Sequence, residues 1–581
     1  MKNGDNNARL GSSEHRLFLG YLAALLLLGL LTVHQIGITW DEPNYFTSSY
    51  SYFSWFGHLA AEPSDGWSSI DRYWEQSHEA PPFFKLWGGL FAVGAALLFG
   101  TEDLGTLGDA YRMGSYVLFL LSTYAAFRFV RGSFGGVAAW GTALSMPLIP
   151  TLFGFARLGQ LDGPVASIYL LAAVALHRML NRGGRGQTVL AGVMLGLAFA
   201  TKLNVFPLLP AALLWCAIYR RKWRVFARLL ACSCVGVVVF FVLWPWLWRD
   251  PVGRTWEFLT WTAGLQDERF AYYLGQWWAG APFHYPLATL IVLVPLVVAV
   301  AGVLGAVRLF REARNPAAGW VLLNLTLVLA VAGSGLVPIY GGPRQFLAAF
   351  PLWVICAGLG VGWLASKLSV RPAVTLAAYA ALSLPGILWT GTANSLEYYG
   401  EAAGLVPGAR SLGFETTYLA DSYKPAVEWL SKVAPRGATV YGQAGTHPVL
   451  ESYRRIGELR SDLRPAYLAP VAPEGPVRDE RPREGSYFLF LPRQSIYTDQ
   501  MLTLEQKRPL YEYKKGGVPL IRVYSGEAVG ETLGKRGGPE PRDLGLANAL
   551  VAFGGVLAVL YVLLRRQKQR DAGRRHGGGA S

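Results

Sequence analysis

At 581 residues the chain is too long for one ordinary hydrophobic core, and 52% apolar residues with only 16% charged is a membrane composition, not a soluble one. A formal net charge of +15 would fit nucleic-acid binding if the basic residues formed a patch, but they fall in short clusters between apolar runs, where charge reports membrane topology. The four cysteines, Cys216, Cys232, Cys234 and Cys356, all lie inside apolar runs, which excludes a disulfide framework or a zinc-ligand spacing.

Residues 1–16 carry Lys2, Arg9 and Arg16 and no small-residue cleavage site follows the first apolar run, so an uncleaved signal anchor with a cytoplasmic N-terminus is expected. Leu17 to Ile36 supplies the roughly 20 apolar residues that a bilayer crossing needs. Directly after it comes Trp40-Asp41-Glu42-Pro43-Asn44-Tyr45, two adjacent carboxylates between interfacial aromatics. A solvated acidic turn is the plain reading; an active-site base at the membrane surface is the sharper one, since a carboxylate in reach of a hydroxyl can take its proton.

Residues 46–81 are polar and aromatic and lead to His78-Glu79-Ala80-Pro81-Pro82-Phe83-Phe84-Lys85 and an apolar stretch to Gly100. Counting 83–100 as a crossing would put Arg128 and Arg131 outside and invert the later basic loops, so it is read as a membrane-embedded or interfacial helix. Further spans are expected near 112–130, 134–153, 163–180, 187–201, 204–219, 226–247, 286–307, 317–337, 345–365, 372–392 and 543–564. With 17–36 these make about 12 transmembrane helices, both termini inside, in a multi-pass α-helical protein. The catalytic core would occupy 17–392, with outer loops 37–111 and 248–285. Residues 393–541, poor in apolar runs and rich in Pro, Gly and charge, read as an extracytoplasmic α/β domain. Within it a helix is expected over 421–433, with Ala426, Trp429 and Leu430 on one side, and strands at 438–441, 487–491 and 520–524. An anchor helix (542–564) and a basic cytoplasmic tail (565–581) follow, the last Gly/Arg-rich residues (571–581) being expected disordered.

This topology collects Asp41, Glu42, Lys85, Arg112, Asp162, Lys202 and Arg344 on the outer side. Asp162 precedes Gly-Pro, as a helix N-cap would, and cap and functional roles are compatible. Each cation taken singly could merely snorkel; several beside a carboxylate pair suit an anionic leaving group. Gly341-Gly342-Pro343 before Arg344 would let backbone approach a ligand, or form an ordinary turn. The loop 248–285, with Tyr273, His284 and Tyr285, is dense in aromatics; it is an interfacial belt or, with Trp40, Tyr45 and Tyr340, a wall for sugar rings and prenyl chains. There is no P-loop, dinucleotide fingerprint or oxygen-rich cage, so neither nucleotide, metal nor other cofactor is expected.

These stretches together resemble the GT-C membrane glycosyltransferases, specifically the dolichyl-phosphate-mannose protein mannosyltransferases (glycosyltransferase family 39) and bacterial relatives such as the aminoarabinose transferase of lipid A. The likeness runs over most of 17–430. It rests on the acidic motif at Trp40–Tyr45, the double-Pro stretch ending at Lys85, Arg112 near the start of the next helix, Asp162 as a second outer acid, Tyr340–Arg344, and Gly413-Phe414-Glu415-Thr416-Thr417-Tyr418 followed by Asp421-Ser422-Tyr423. Ala80 stands where some relatives have Lys, which shifts phosphate binding to Lys85. The resemblance implies an inverting transfer from a polyprenyl-phosphate sugar to a hydroxyl of protein, lipid or glycan at the outer face of the cell membrane. Asp41 would be the base, Glu42 and Asp162 would position substrate, and Lys85, Arg112, Arg344 and Lys202 would bind the donor phosphate. The alternative is a transporter or flippase of lipid-linked sugars, which would instead predict ionisable residues midway through helices and repeat symmetry.

Overall fold

The computed structural model describes residues 11–264, 270–443, 446–467, 482–532 and 538–576. Every expected span is helical. Among the described residues, seven helices are long and apolar enough to cross a membrane: Ser12–Gln35, Leu104–Phe134, Asp162–Arg182, Trp223–Val242, Ala349–Lys367, Pro372–Thr390 and Gly545–Gln569; four shorter apolar helices are Phe83–Phe99, Arg185–Phe199, Leu203–Tyr219 and Pro316–Ala332. Several expected spans are broken, among them two at a proline junction. The 286–307 stretch divides into Tyr285–Val292 and Leu296–Arg311 at Pro295, and 134–153 divides at Ile149–Pro150 into Gly136–Leu148 and Pro150–Phe155. Proline at the junction removes a backbone donor and its ring disfavours helical backbone in the residue before it.

The helix Phe83–Phe99 packs between Glu42–Ala61 and Leu104–Phe134. The approach to the latter is close enough that a Cβ on Gly114 would lie 2.9 Å from the Gly88 Cα, so small residues set this crossing, as they do where membrane helices pack without a hydrophobic drive. The final helix, Gly545–His576, runs through part of the tail expected to be disordered; residues 577–581 lie outside the described residues.

Residues 393–532 add an α/β unit with a five-stranded sheet in the order Arg464–Tyr467, Thr439–Gly442, Tyr487–Phe490, Val518–Ser525, Tyr511–Lys515. The first three are parallel and the last two join antiparallel, with Val440 opposite Tyr487 and Phe488 opposite Tyr524. The helix Tyr423–Val433 buries Ala426, Val427 and Leu430; Trp429 sits at its edge, stacked on Tyr511. The unit is joined to the helical core beside the acidic motif. Trp40 N donates to Leu419 O (3.1 Å), Ile38 N to the Tyr453 hydroxyl (2.7 Å), and Lys424 Nζ to His34 O (3.0 Å).

Candidate active site

The adjacent carboxylates of the acidic motif part company. Pro43 at the first turn sets the start of the helix Glu42–Ala61, and the backbone turns there so that Asp41 and Glu42 face different surroundings. Glu42 points inward. Its Oε1 accepts from Arg112 Nε at 2.7 Å and Gly159 N at 2.6 Å, and its Oε2 from Arg112 Nη2 at 2.7 Å and Thr39 N at 2.8 Å. The rest of the Arg112 guanidinium donates to the carbonyls of Ile36 (3.0 Å), Gly37 (3.0 Å) and Val33 (3.3 Å). This is a buried fork-to-fork pair that ties the end of the first membrane helix to Leu104–Phe134. The polar atoms of Glu42 and Arg112 are thus engaged with each other and with backbone, and the two residues line a cavity of about 370 Å³ together with Pro43, Phe46 and Tyr111.

Asp41 faces a cavity of about 520 Å³. Arg344 pairs with it through Nη2 and, through Nε, with Asp162 Oδ2 at 2.6 Å; Lys202 Nζ reaches Asp162 Oδ1 at 2.7 Å. Asp162 opens the helix Asp162–Arg182, Lys202 sits in the turn after Arg185–Phe199, and Arg344 follows Gly341-Gly342-Pro343. Four segments distant in sequence thus place two carboxylates and two cations in one chain of ion pairs, with Asp162 fully buried between its partners. Buried charges survive only when paired in this way. The cavity lining includes charged side chains, Asp41, Glu79, Lys202, Arg344 and Arg493, as well as apolar ones, Phe206, Val328, Val331 and Val337.

Lys85 does not line this cavity. It is wholly buried, with Nζ donating to Ala80 O at 2.8 Å and to Ser77 O, and so it caps the turn His78–Pro81 from behind. Its ammonium lies 5.4 Å from the Tyr45 ring centre, and it is Tyr45 that reaches the cavity. Of the four expected phosphate cations, Lys202 and Arg344 face the cavity; Lys85 and Arg112 hold backbone.

Among the aromatics, Trp40, Tyr45 and Tyr340 line the cavity, while Tyr273, His284 and Tyr285 do not. Tyr273 packs edge-on against Tyr285 and Phe414 (5.1 and 5.3 Å between centroids), and His284 is exposed at the start of Tyr285–Val292. The hairpin that carries Tyr273 is pinned to the α/β unit by Gly275 N on Gly413 O (3.1 Å) and Trp277 Nε1 on Gln494 O (2.7 Å), which turns these rings into an interface.

The sequence reading missed Arg493. It follows the strand Tyr487–Phe490 by three residues, and a strand's carboxyl end is where α/β units commonly present ligand-binding groups; that signal was available. A possible metal-ligand cluster, His58, Glu62 and Asp65, has its donor atoms within 4.8 Å of one another. It lies at the far end of Glu42–Ala61, outside the cavity lining, with His58 already hydrogen-bonded to Asp65 at 2.9 Å. Asp41 and Asp162, each held by cations, offer a dication a poor set.

The chain is similar to several known glycosyltransferases. A family profile described as dolichyl-phosphate-mannose-protein mannosyltransferase matches residues 91–248. The alpha-(1->3)-arabinofuranosyltransferase of Mycolicibacterium smegmatis is 25% identical over 309 residues, 50% of this chain, and the match spans 66% of that relative, just under two thirds of its length. ArnT from Cupriavidus metallidurans in the apo state superposes over 89% of this chain and 99% of its own, with 17% identity and a TM-score of 0.50. The chain has the fold of the GT-C membrane glycosyltransferases. The same ArnT bound to undecaprenyl phosphate (16% identity, TM-score 0.48, 91% and 100% covered) and the oligosaccharyltransferase AglB from Archaeoglobus fulgidus in complex with an inhibitory peptide and a dolichol-phosphate (11%, TM-score 0.42, 75% and 64% covered) are more distant matches.

Proposed function

We propose that this GT-C protein is an inverting glycosyltransferase that moves a sugar from a polyprenyl-phosphate donor to an acceptor hydroxyl at the outer face of the cell membrane. The observation that carries the reading is the ion-pair chain Asp41–Arg344–Asp162–Lys202 at a cavity that is also lined by apolar side chains. An amphiphilic lipid phosphate suits such a wall: prenyl chain against Phe206 and Val331, phosphate against Arg344 and Lys202. The orientation follows from the basic clusters Arg128/Arg131, Arg178/Arg182, Arg220/Arg221 and Arg308/Arg311, assigned to the cytoplasm, which leaves the cavity and the α/β unit outside.

In the reaction the acceptor oxygen forms a bond to the anomeric carbon as the bond from that carbon to the phosphate oxygen breaks, the electron pair leaving with the phosphate. Arg344 and Lys202 stabilise the departing charge. Asp41 takes the acceptor proton. Its pairing with Arg344 makes this conditional: an entering phosphate competes for the guanidinium and frees the Asp41 carboxylate to meet the acceptor. Asp162 holds Arg344 and Lys202 at their spacing, and orientation of the two substrates supplies much of the rate.

The test is a panel of radiolabelled polyprenyl-phosphate sugars presented to the protein in lipid vesicles. Consumption of one donor with release of free polyprenyl phosphate is expected. Movement of label across the bilayer without cleavage would replace the transferase reading with a flippase.

A further inference from the structure

The α/β unit contributes Arg493 to the lining of the cavity. Arg493 is 2% exposed, its guanidinium lies over the Trp40 ring at 4.7 Å, and Nη1 and Nε are held by Tyr418 O (3.0 Å) and Ser495 Oγ (3.1 Å), with Glu415 Oε2 3.9 Å away. A side chain held at this many points has little conformational freedom left to lose on contact with a ligand. The same guanidinium faces the Gly341-Gly342 turn. Both glycines have left-handed backbone (φ +65° and +68°), and a Cβ built on Gly341 would sit 3.6 Å from Arg493 Nη2 and 3.8 Å from Arg344 Nη1. Two guanidiniums, one from each part of the protein, therefore approach the same turn, whose left-handed backbone favours glycine. The indole Nε1 of Trp40, beneath Arg493, is buried with no hydrogen-bond partner.

We infer that Arg493 is an anion-binding residue of the cavity, so that the subsite for the donor's phosphate is built jointly by Arg344 of the helical core and Arg493 of the α/β unit. The inference rests on the transferase reading and deepens it: the α/β unit supplies part of the donor site and not only a surface for the acceptor. A phosphate in the Gly341 notch bridges the two guanidiniums with charge-assisted hydrogen bonds, and Trp40 Nε1 stands by as a further donor. The plainer role for Arg493 is a latch between the two parts of the protein, and the experiment separates the two.

Binding of undecaprenyl phosphate and of neutral undecaprenol to the full chain in nanodiscs is followed by tryptophan fluorescence for the parent, Arg493→Gln, Arg493→Lys, Ser495→Ala and Arg344→Gln. Loss of one charge-assisted contact is expected to weaken undecaprenyl phosphate binding by about tenfold to a hundredfold in Arg493→Gln. Undecaprenol binding should be unchanged, Arg493→Lys should recover part of the loss, and Ser495→Ala, which loosens the latch but keeps the charge, should bind nearly as the parent does. Equal weakening of phosphate and alcohol in Arg493→Gln, matched by Ser495→Ala, would overturn the inference in favour of a latch. Retained phosphate affinity in Arg493→Gln with loss in Arg344→Gln would overturn it while leaving the transferase reading intact. A parent that does not distinguish undecaprenyl phosphate from undecaprenol would remove the transferase reading itself. If Arg493→Gln does not fold, Arg493→Lys carries the comparison, because its compact ammonium cannot make the two-point contact a guanidinium makes.

Discussion

Glu42→Gln should behave as a structural lesion and not as a catalytic one. The substitution keeps the shape of the side chain but removes the charge that balances Arg112, whose guanidinium is 9% exposed and surrounded by carbonyls. Four donors converge on the carboxylate, and a neutral amide with one acceptor oxygen cannot serve them all. Breaking a buried pair while leaving one charge uncompensated costs about 3–5 kcal/mol, a large part of the stability of most proteins. Thermal unfolding of purified Glu42→Gln in nanodiscs, followed by tryptophan fluorescence, should therefore show a midpoint many degrees below the parent. The double variant Glu42→Met/Arg112→Met should regain much of the loss, because neither charge is then stranded. Activity per folded molecule should fall far less than in Asp41→Asn. A Glu42→Gln protein with the parent's melting point and no transfer would refute the division of labour between the two acids and return Glu42 to the chemistry.

Other consequences follow from the same geometry. Gly341→Ala should lower transferase activity about tenfold or more through weaker donor binding, measured as a rise in KM: its backbone is left-handed, which costs a Cβ-bearing residue about 1–2 kcal/mol, and the new methyl would press on Arg344 Cδ at 3.0 Å. Lys202→Met should leave Asp162 with Arg344 alone and slow the chemical step, read as a fall in kcat in single-turnover assays, while the fold persists. Glu397 and Asp421 face one another in full burial beside the acidic motif; burial, then mutual repulsion, raises Glu397 well above the usual carboxylate range, and burial pushes Asp421 up to about 6. An acid whose folded value lies above its unfolded one binds more protons in the fold, so its contribution to stability is present below about pH 4 and is lost as pH rises through 6. Asp421→Asn should flatten the decline of the melting temperature between pH 4 and 6, which a pH series of thermal scans would read directly.

The legible part of this protein was the part written in hydrophobic lengths. Apolar runs of about 20 residues and basic clusters between them located the helices, and the composition change after residue 392 located the α/β unit, whose helix at Tyr423–Val433 and three of whose strands were expected from periodicity. The candidate site was legible as residue types collected on one side, since Asp41, Asp162, Lys202 and Arg344 do meet. Which way each side chain turns was not legible. Asp41 and Glu42 are neighbours in sequence with identical chemistry, and only the turn before the helix and the approach of Arg112 from 70 residues away separate their roles. Lys85 and Arg112 look like ligand cations in sequence because nothing local announces the carbonyls that absorb their donors. Tyr273 reads as part of a binding wall because its partner, Phe414, belongs to a segment more than a hundred residues later. Arg493 does carry a local signal, its place just after a strand, but the cavity it lines is formed mostly by residues hundreds of positions earlier.

The account's central claim is that the Asp41 carboxylate, at the end of the ion-pair chain, is the base for transfer from a lipid phosphate. The most direct measurement compares parent and Asp41→Asn in vesicles, with the donor that the parent consumes, scoring donor binding and release of free polyprenyl phosphate side by side. The account predicts that Asp41→Asn binds the donor at least as well as the parent, because Arg344 loses a competing carboxylate, and that release falls by a hundredfold or more, in line with the roughly 10²–10⁴-fold that a positioned general base contributes. Release at the parent's rate by Asp41→Asn would contradict it and send the search for the base to Glu79, the other acid on the cavity wall.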